Sequence, residues 1–181
     1  MLWICNLIEI ANLTKYNIDK KYFQKAGESI LNKLGQPDDA EISLVFVGDK
    51  RMRELNRKYR GIDKTTDVLS FLYSKKGLKE ISGEIVISVP RAIRQARLHR
   101  YASSHDCRPP ATIAFRAGQD VGLAKHCGQA KIQSYPLKLE LLALFVHGIL
   151  HLAGYDDEKQ EDYEEMMEKQ EEILEQLTIK K

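Results

Sequence analysis

The sequence contains no uninterrupted apolar run of the ~20 residues that a membrane-spanning helix requires. Its N-terminal stretch, MLWICNLIEIAN, has no basic residue ahead of the apolar run and includes Glu9 within it, which disfavours a secretory signal peptide. Cysteine is scarce: the three present are an odd number without CxxC spacing, which favours free thiols over a disulfide scaffold. We therefore expect a cytoplasmic protein with no membrane partner.

The sequence is rich in the residues that build a hydrophobic core and a solvated surface. Of its 181 residues, 43% are hydrophobic and 30% are charged, which predicts one domain spanning 1–181. The net charge of +2 hides a strong segregation. Residues 51–101 hold 13 Lys/Arg against 5 Asp/Glu, whereas residues 156–177 hold 11 Asp/Glu against 2 Lys. Such a polarised molecule presents a basic middle segment and an acidic tail.

Hydrophobic periodicity predicts nine elements of secondary structure. Strands are predicted at Leu2–Ala11, Glu41–Val47, Val68–Phe71 and Ile85–Val89. Helices are predicted at Lys20–Leu34, Asp49 to about Tyr59, Pro90 to about Leu98, Leu137–Ala153 and Lys159–Leu177. Asp19 and Asp49 are expected to cap the first two helices, and Tyr59 to face inward. This order predicts an α+β domain: a small mixed β-sheet of about four strands, with helices packed mainly on one side.

The segment of about 99–136 differs from the rest of the chain. It shows no sustained period of 2 or 3.6 residues, and it predicts an insertion or a long loop. His105, Cys107, His126 and Cys127 within it are potential ligands for a second metal, although an adventitious loop is the simpler interpretation.

The stretch LLALFVHGILHLAGYDD carries the clearest chemical signal. His147 and His151 are four residues apart, so they lie on one face of a helix at a separation that suits two ligands of one metal ion. Gly154 permits a chain reversal that would bring Asp157, or its neighbour Asp156, back to the ion; the spacing favours Asp157. The alternative is a pair of core histidines hydrogen-bonded to carbonyl groups.

The residue after His147 also limits the chemistry. It is Gly148, where zinc proteases of the HExxH type have the glutamate that serves as general base. Its absence argues against peptide hydrolysis by that route. We expect Gly148 instead to leave open space beside the first ligand.

Three motifs, RGIDKTTDVLSF, SGEIVIS and HGILHLAGYDD, occur in this order. Together they resemble the YbeY-type endoribonuclease family of rRNA maturation factors, whose pattern is HGxLHLxGYDH. The resemblance covers about residues 12–96 and 137–177. It implies a zinc-dependent, single-strand-specific endoribonuclease that acts on 16S rRNA 3′ ends and in ribosome quality control, with RNA and the ribosome or its small subunit as partners.

The resemblance also implies residue roles. One Zn²⁺ would be held by His147, His151 and, where the family has a third histidine, Asp157, which is a competent zinc ligand. His147 and Arg60 would be catalytic, and Arg60 corresponds to the family's functional arginine. Arg60 would bind substrate together with Arg57 and Lys64. Two other functions stay open: a metal-dependent hydrolase of another substrate, and a non-catalytic ribosome-associated assembly factor.

Overall fold

A computed structural model describes residues 7–36, 40–73, 81–102, 137–157 and 159–179. Its strands are β1 (Leu7–Asn12), β2 (Glu41–Val47), β3 (Val68–Leu72) and β4 (Ser82–Ser88). Its helices are α1 (Lys20–Lys33), α2 (Asp49–Arg60), α3 (Val89–Ala102), α4 (Leu137–Leu152) and α5 (Gln160–Ile179). None of these helices combines the length and the apolar character needed to cross a membrane.

The four strands form one mixed sheet in the order β1-β2-β4-β3. β1, β2 and β4 are parallel, and each is separated from the next by at least one helix in sequence. β3 runs antiparallel to β4 at the edge of the sheet, with Val68 opposite Ile87 and Leu72 opposite Gly83. The predicted α+β class with about four strands is confirmed.

Alternation along the strands divides the helices between two layers. Ile85 and Ile87 of β4 enter the main core, where α1, α4 and α5 pack. Val86, between them, turns to the other face and packs with Met52 of α2 and Leu69 of β3. Most helices therefore lie on one side of the sheet, as predicted, and α2 covers the opposite side.

Two local predictions on α2 were wrong. Gly48 occupies the N-cap position and supplies no side-chain hydrogen bond. Asp49 lies inside the helix, where its carboxylate accepts hydrogen bonds from Ser88 Oγ at 2.7 Å and from Arg94 Nη1 at 2.8 Å. Tyr59 is 55% exposed rather than inward-facing. With a weaker bond from Thr65 Oγ1 at 3.5 Å, Asp49 has three tertiary donors in this position, where a cap would provide a single bond.

The other caps follow the sequence more closely. The Asp19 carboxylate accepts a hydrogen bond from the backbone N–H of Tyr22, so this residue caps α1 as expected. Pro90 lies in the first turn of α3, where its missing N–H is not needed. Val89 begins that helix instead of ending the strand, and β4 starts three residues earlier than predicted.

Helix α4 is buried almost all round, and close contact with the sheet depends on glycine. A Cβ at Gly148 would lie 2.8 Å from Ile85 Cγ2 and 3.2 Å from Ser70 Oγ. The expectation that Gly148 leaves open space beside His147 was wrong, because β4 fills that space. Gly148 thus sets how near the helix approaches the sheet.

Gly83 provides the same close approach from the side of the sheet. A Cβ there would lie 2.6 Å from the backbone oxygen of Phe71 and 2.8 Å from Leu152 Cδ2. We expect Gly83→Ala to lower the free energy of unfolding by about 1–3 kcal/mol, the usual cost of overpacking. Urea denaturation measures this change. Gly48→Ala is the comparison, since no atom lies within 4 Å of the added methyl group and only the smaller preference of the N-cap for glycine over alanine is lost; an equal loss in both variants would contradict the steric explanation.

Several predictions lie outside the described residues. They are the first part of the N-terminal strand, all but the start of the segment 99–136, and its four potential metal ligands. The single-domain organisation stays a prediction.

Candidate metal centre

The candidate site forms where α4 ends and the chain turns back. Gly154 adopts a φ of 96°, a left-handed conformation that glycine adopts without strain. The N–H of Tyr155 donates to the carbonyl of Leu150 at 3.0 Å, and the N–H of Gly154 donates to that of His151 at 3.1 Å. This pair of bonds is a Schellman motif, and it redirects the chain towards the histidine face of the helix.

The turn brings the three residues singled out in the sequence into one group. Ligand atoms of His147, His151 and Asp157 all lie within 4.8 Å of one another. His147 is buried, whereas His151 and Asp157 are half-buried. Asp156 is exposed and does not belong to the group. Two imidazoles and one carboxylate, open to solvent on one side, are donors that could hold a divalent metal ion.

The hydrogen bonds at Nδ1 of His147 and of His151 indicate that the group suits a cation. His151 Nδ1 lies 3.1 Å from the backbone oxygen of Tyr155, and His147 Nδ1 lies 3.2 Å from Gln170 Oε1. Both oxygens are acceptors, which favours the tautomer that has the proton on Nδ1 and a lone pair on Nε2. The two Nε2 atoms face each other at 3.1 Å. Nitrogens bound to one tetrahedral zinc ion lie about 3.3 Å apart, so a cation would relieve the lone-pair repulsion.

The electrostatics of the site keep His147 neutral. Burial, and to a lesser degree the neighbouring His151, lowers the pKa of the His147 imidazole from 6.5 to about 4. The ring is therefore uncharged at neutral pH. A neutral imidazole is the form that binds metal, so no proton has to be displaced from this residue first.

Asp67 stands close enough to influence His147 but has a structural role. Its carboxylate accepts hydrogen bonds from Thr66 Oγ1, from the backbone N–H of Val68 and from Gln95 Nε2, at 2.8–3.0 Å. Its backbone oxygen accepts the N–H of Ser88. These bonds fix the loop that leads into β3.

Glu84 also has a structural partner, since the Tyr73 hydroxyl donates a hydrogen bond to its carboxylate at 2.7 Å.

The three predicted substrate-binding cations lie on a different part of the chain from the metal group, and their role stays a prediction. Arg57 and Arg60 lie in the last turn of α2 and Lys64 in the following loop, and all three are exposed. Within the described ranges, no carboxylate lies within ion-pair distance of them. α2 and α4 lie on opposite faces of the sheet, and both pack near the edge strand β3.

The sequence did not single out Tyr59 or Gln170 as functional residues. Tyr59 packs edge-on against Phe71 with ring centroids 4.9 Å apart, and Lys58 Nζ lies 4.8 Å from the Tyr59 centroid. Gln170 contacts His147 from α5. Its signal in the sequence was a polar residue between Met166 and Ile173 in an otherwise apolar helix stripe.

Comparison with known proteins identifies a family that matches most of the chain. The family model described as "Endoribonuclease YbeY" matches residues 9–107 and 121–178. The protein named "Endoribonuclease YbeY" from Persephonella marina is 35% identical over 165 residues, covering 89% of this chain and 85% of the relative. The protein of that name from Desulforamulus reducens is 35% identical over 156 residues, covering 82% and 80%.

A solved structure shows the same fold. The solution structure of a protein from Thermotoga maritima matches with a TM-score of 0.56 and 25% sequence identity. The match covers 94% of this chain and 89% of that chain. Both the sequence matches and the structural match therefore extend over most of the molecule.

Proposed function

We propose that this chain, which belongs to the Endoribonuclease YbeY family, is a zinc-dependent, single-strand-specific endoribonuclease. We propose that it acts in 16S rRNA 3′-end maturation and ribosome quality control, in the cytoplasm and on the ribosome or its small subunit. The observation that carries the proposal is the group of His147, His151 and Asp157, with the two Nε2 atoms opposed at 3.1 Å.

The donor set supports zinc as the ion. Imidazole nitrogens and a carboxylate oxygen are zinc ligands, and three protein ligands with an open fourth position are typical of a catalytic site. His147, His151 and Asp157 would hold the ion. When bound, zinc supplies a Lewis acid that polarises a phosphoryl oxygen and promotes ionisation of water.

Surface charge and aromatic exposure support a single-stranded RNA substrate. Arg60, Arg57 and Lys64 offer positive charge with no carboxylate of the described residues at ion-pair distance. The exposed ring of Tyr59, beside Lys58, offers a face on which an unpaired base can stack. An RNA strand crossing the edge of β3 would bridge this surface and the metal group. Duplex bases are already stacked and cannot use the Tyr59 ring in this way.

Arg60 would orient the phosphate and offset the charge that develops on it, because a guanidinium can donate two parallel hydrogen bonds. Two nucleophiles remain open, water and the 2′-hydroxyl of the RNA. The ends of the products distinguish them. A 2′,3′-cyclic phosphate indicates attack by the 2′-hydroxyl, and its absence supports water.

The test of the proposed function is RNA cleavage by the purified protein of known metal content. We expect about one zinc per chain, cleavage of a labelled single-stranded oligoribonucleotide, and little cleavage of the same sequence in a duplex. Chelation should stop the reaction and zinc should restore it. A protein that holds no metal and cuts no single-stranded RNA would be an assembly factor. A metal-loaded protein that cuts peptides or amides but not RNA would be a different hydrolase.

Arg60 provides a separate prediction. We expect Arg60→Ala to lower kcat/KM for single-stranded RNA by about 10²-fold, the size of effect seen when a charge-stabilising donor is removed. Arg60→Lys should recover only part of the activity, since lysine cannot donate a bidentate pair. Zinc content should not change in either variant.

The matched control is Arg51→Ala. Arg51 is exposed in the first turn of the same helix and forms only a surface ion pair with Glu54 at 3.4 Å. We expect it to retain nearly full activity. Equal losses from Arg51→Ala and Arg60→Ala would show a general effect of positive charge, not a specific role of Arg60.

A further inference from the structure

We infer that Gln170 is a positioning residue for the metal site: it holds His147 in the tautomer and orientation in which Nε2 faces the ion. This inference rests on the proposed metal site. The contact that carries it is between His147 Nδ1 and Gln170 Oε1, at 3.2 Å. Both side chains are buried, with 4% and 8% of their surfaces exposed.

The place of Gln170 in its helix indicates a specific purpose. Met166, Gln170 and Ile173 follow one another at helical spacing along the inward face of α5, and all three are buried. An amide in such a stripe costs free energy unless its polar atoms find partners. The eight acidic residues of α5 show that polar side chains are otherwise placed outside this inward stripe. The partner that Gln170 reaches is the buried ring of His147.

The amide oxygen of Gln170 determines the tautomer of His147. Oε1 only accepts, so the hydrogen bond requires the proton on Nδ1 and leaves the lone pair on Nε2. Without this acceptor, the proton could move to Nε2 and block the metal-facing nitrogen. Groups that hold the second nitrogen of a metal-binding histidine are known to fix ring orientation and to raise metal affinity. His151 has the corresponding partner in the backbone oxygen of Tyr155, which no substitution of a side chain removes.

A neutral partner also suits the third ligand of this chain. Asp157 already contributes one negative charge to the group. A carboxylate behind His147 would add a second negative charge near the ion and weaken its Lewis acidity. An amide fixes the ring without that charge.

The experiment compares zinc affinity across substitutions of Gln170 in the full chain, by competition with a chromophoric chelator at pH 8. We expect Gln170→Leu, which removes the acceptor and keeps much of the volume, to weaken binding by about 10–100-fold. Gln170→Glu keeps the acceptor and should stay within a few-fold of the parent protein. Gln176→Leu, an exposed position on the same helix, should leave the affinity unchanged. Thermal unfolding in chelator identifies any variant that fails to fold, and Gln170→Met then replaces Gln170→Leu.

A second readout separates orientation from general stability. Nitrogen NMR of the His147 ring in the chelator-treated protein should show the proton on Nδ1, and this preference should be lost in Gln170→Leu. Folded Gln170→Leu protein that binds zinc as tightly as the parent, or that keeps the same tautomer, would overturn the inference while leaving the metal site intact. Absence of zinc binding in the parent protein would instead overturn the proposed metal site, and the role of Gln170 with it.

Discussion

Replacing His147 by alanine is expected to abolish both stoichiometric zinc binding and RNA cleavage. The loss in kcat/KM should be about 10³-fold or more, because the metal and its ligands act as a unit and little catalysis survives without the ion. The substitution also removes a ring that is 4% exposed, so some loss of stability is expected. Zinc content by atomic spectroscopy and cleavage of a labelled single-stranded RNA are the two measurements.

A folding defect would imitate this result, and His151→Ala removes the ambiguity. His151 is half-buried, so its truncation disturbs the core less while removing an equivalent ligand. Circular dichroism and urea denaturation show whether each variant is folded. Folded His147→Ala and His151→Ala proteins that retain zinc and cleave RNA at the parent rate would rule out the site.

Asp157→Ala has the second largest expected effect. We expect zinc affinity to fall by more than about 10²-fold, because removing a direct ligand costs more than removing a group behind one. Asp157→His should restore binding, since imidazole is an equally suitable ligand. It should also move the rising limb of the pH–rate profile to lower pH, because a neutral ligand leaves more net positive charge at the ion.

The neighbouring carboxylate is the matched control. Asp156 is exposed, lies outside the metal group, and accepts a hydrogen bond from the N–H of Asp157 at 2.7 Å. Asp156→Ala should therefore change zinc affinity only slightly. A larger loss from Asp156→Ala than from Asp157→Ala would reverse the assignment of the third ligand.

The parts of the fold that could be predicted are those governed by local pattern. β2 has the predicted bounds, and α1 and α4 end within one residue of them, because alternation and helical spacing are strong in these segments. The metal group was also predictable, since two histidines on one helix face and a glycine turn are local features. The Schellman hydrogen bonds after α4 bear out the expected reversal.

What sequence reasoning missed depends on tertiary contacts. Asp49 is a residue type that often caps helices, but its carboxylate instead accepts hydrogen bonds from Ser88 and Arg94, about 40 residues away in sequence. Tyr59 fell at an inward position of the helical pattern, yet it is exposed and packs edge-on against Phe71 of the edge strand. Gln170 contacts a histidine 23 residues distant, and no local period identifies such a pair.

Two of the three donor residues lie in the buried helix α4, and the turn after α4 leads to the third. An ion held by His147, His151 and Asp157 would connect the core helix to the link that leads into α5. Gln170, in α5, contacts the same site from the far side of that link. Ion binding and the docking of α5 would thus be thermodynamically linked. The metal would serve the fold as a non-covalent cross-link as well as serving the chemistry.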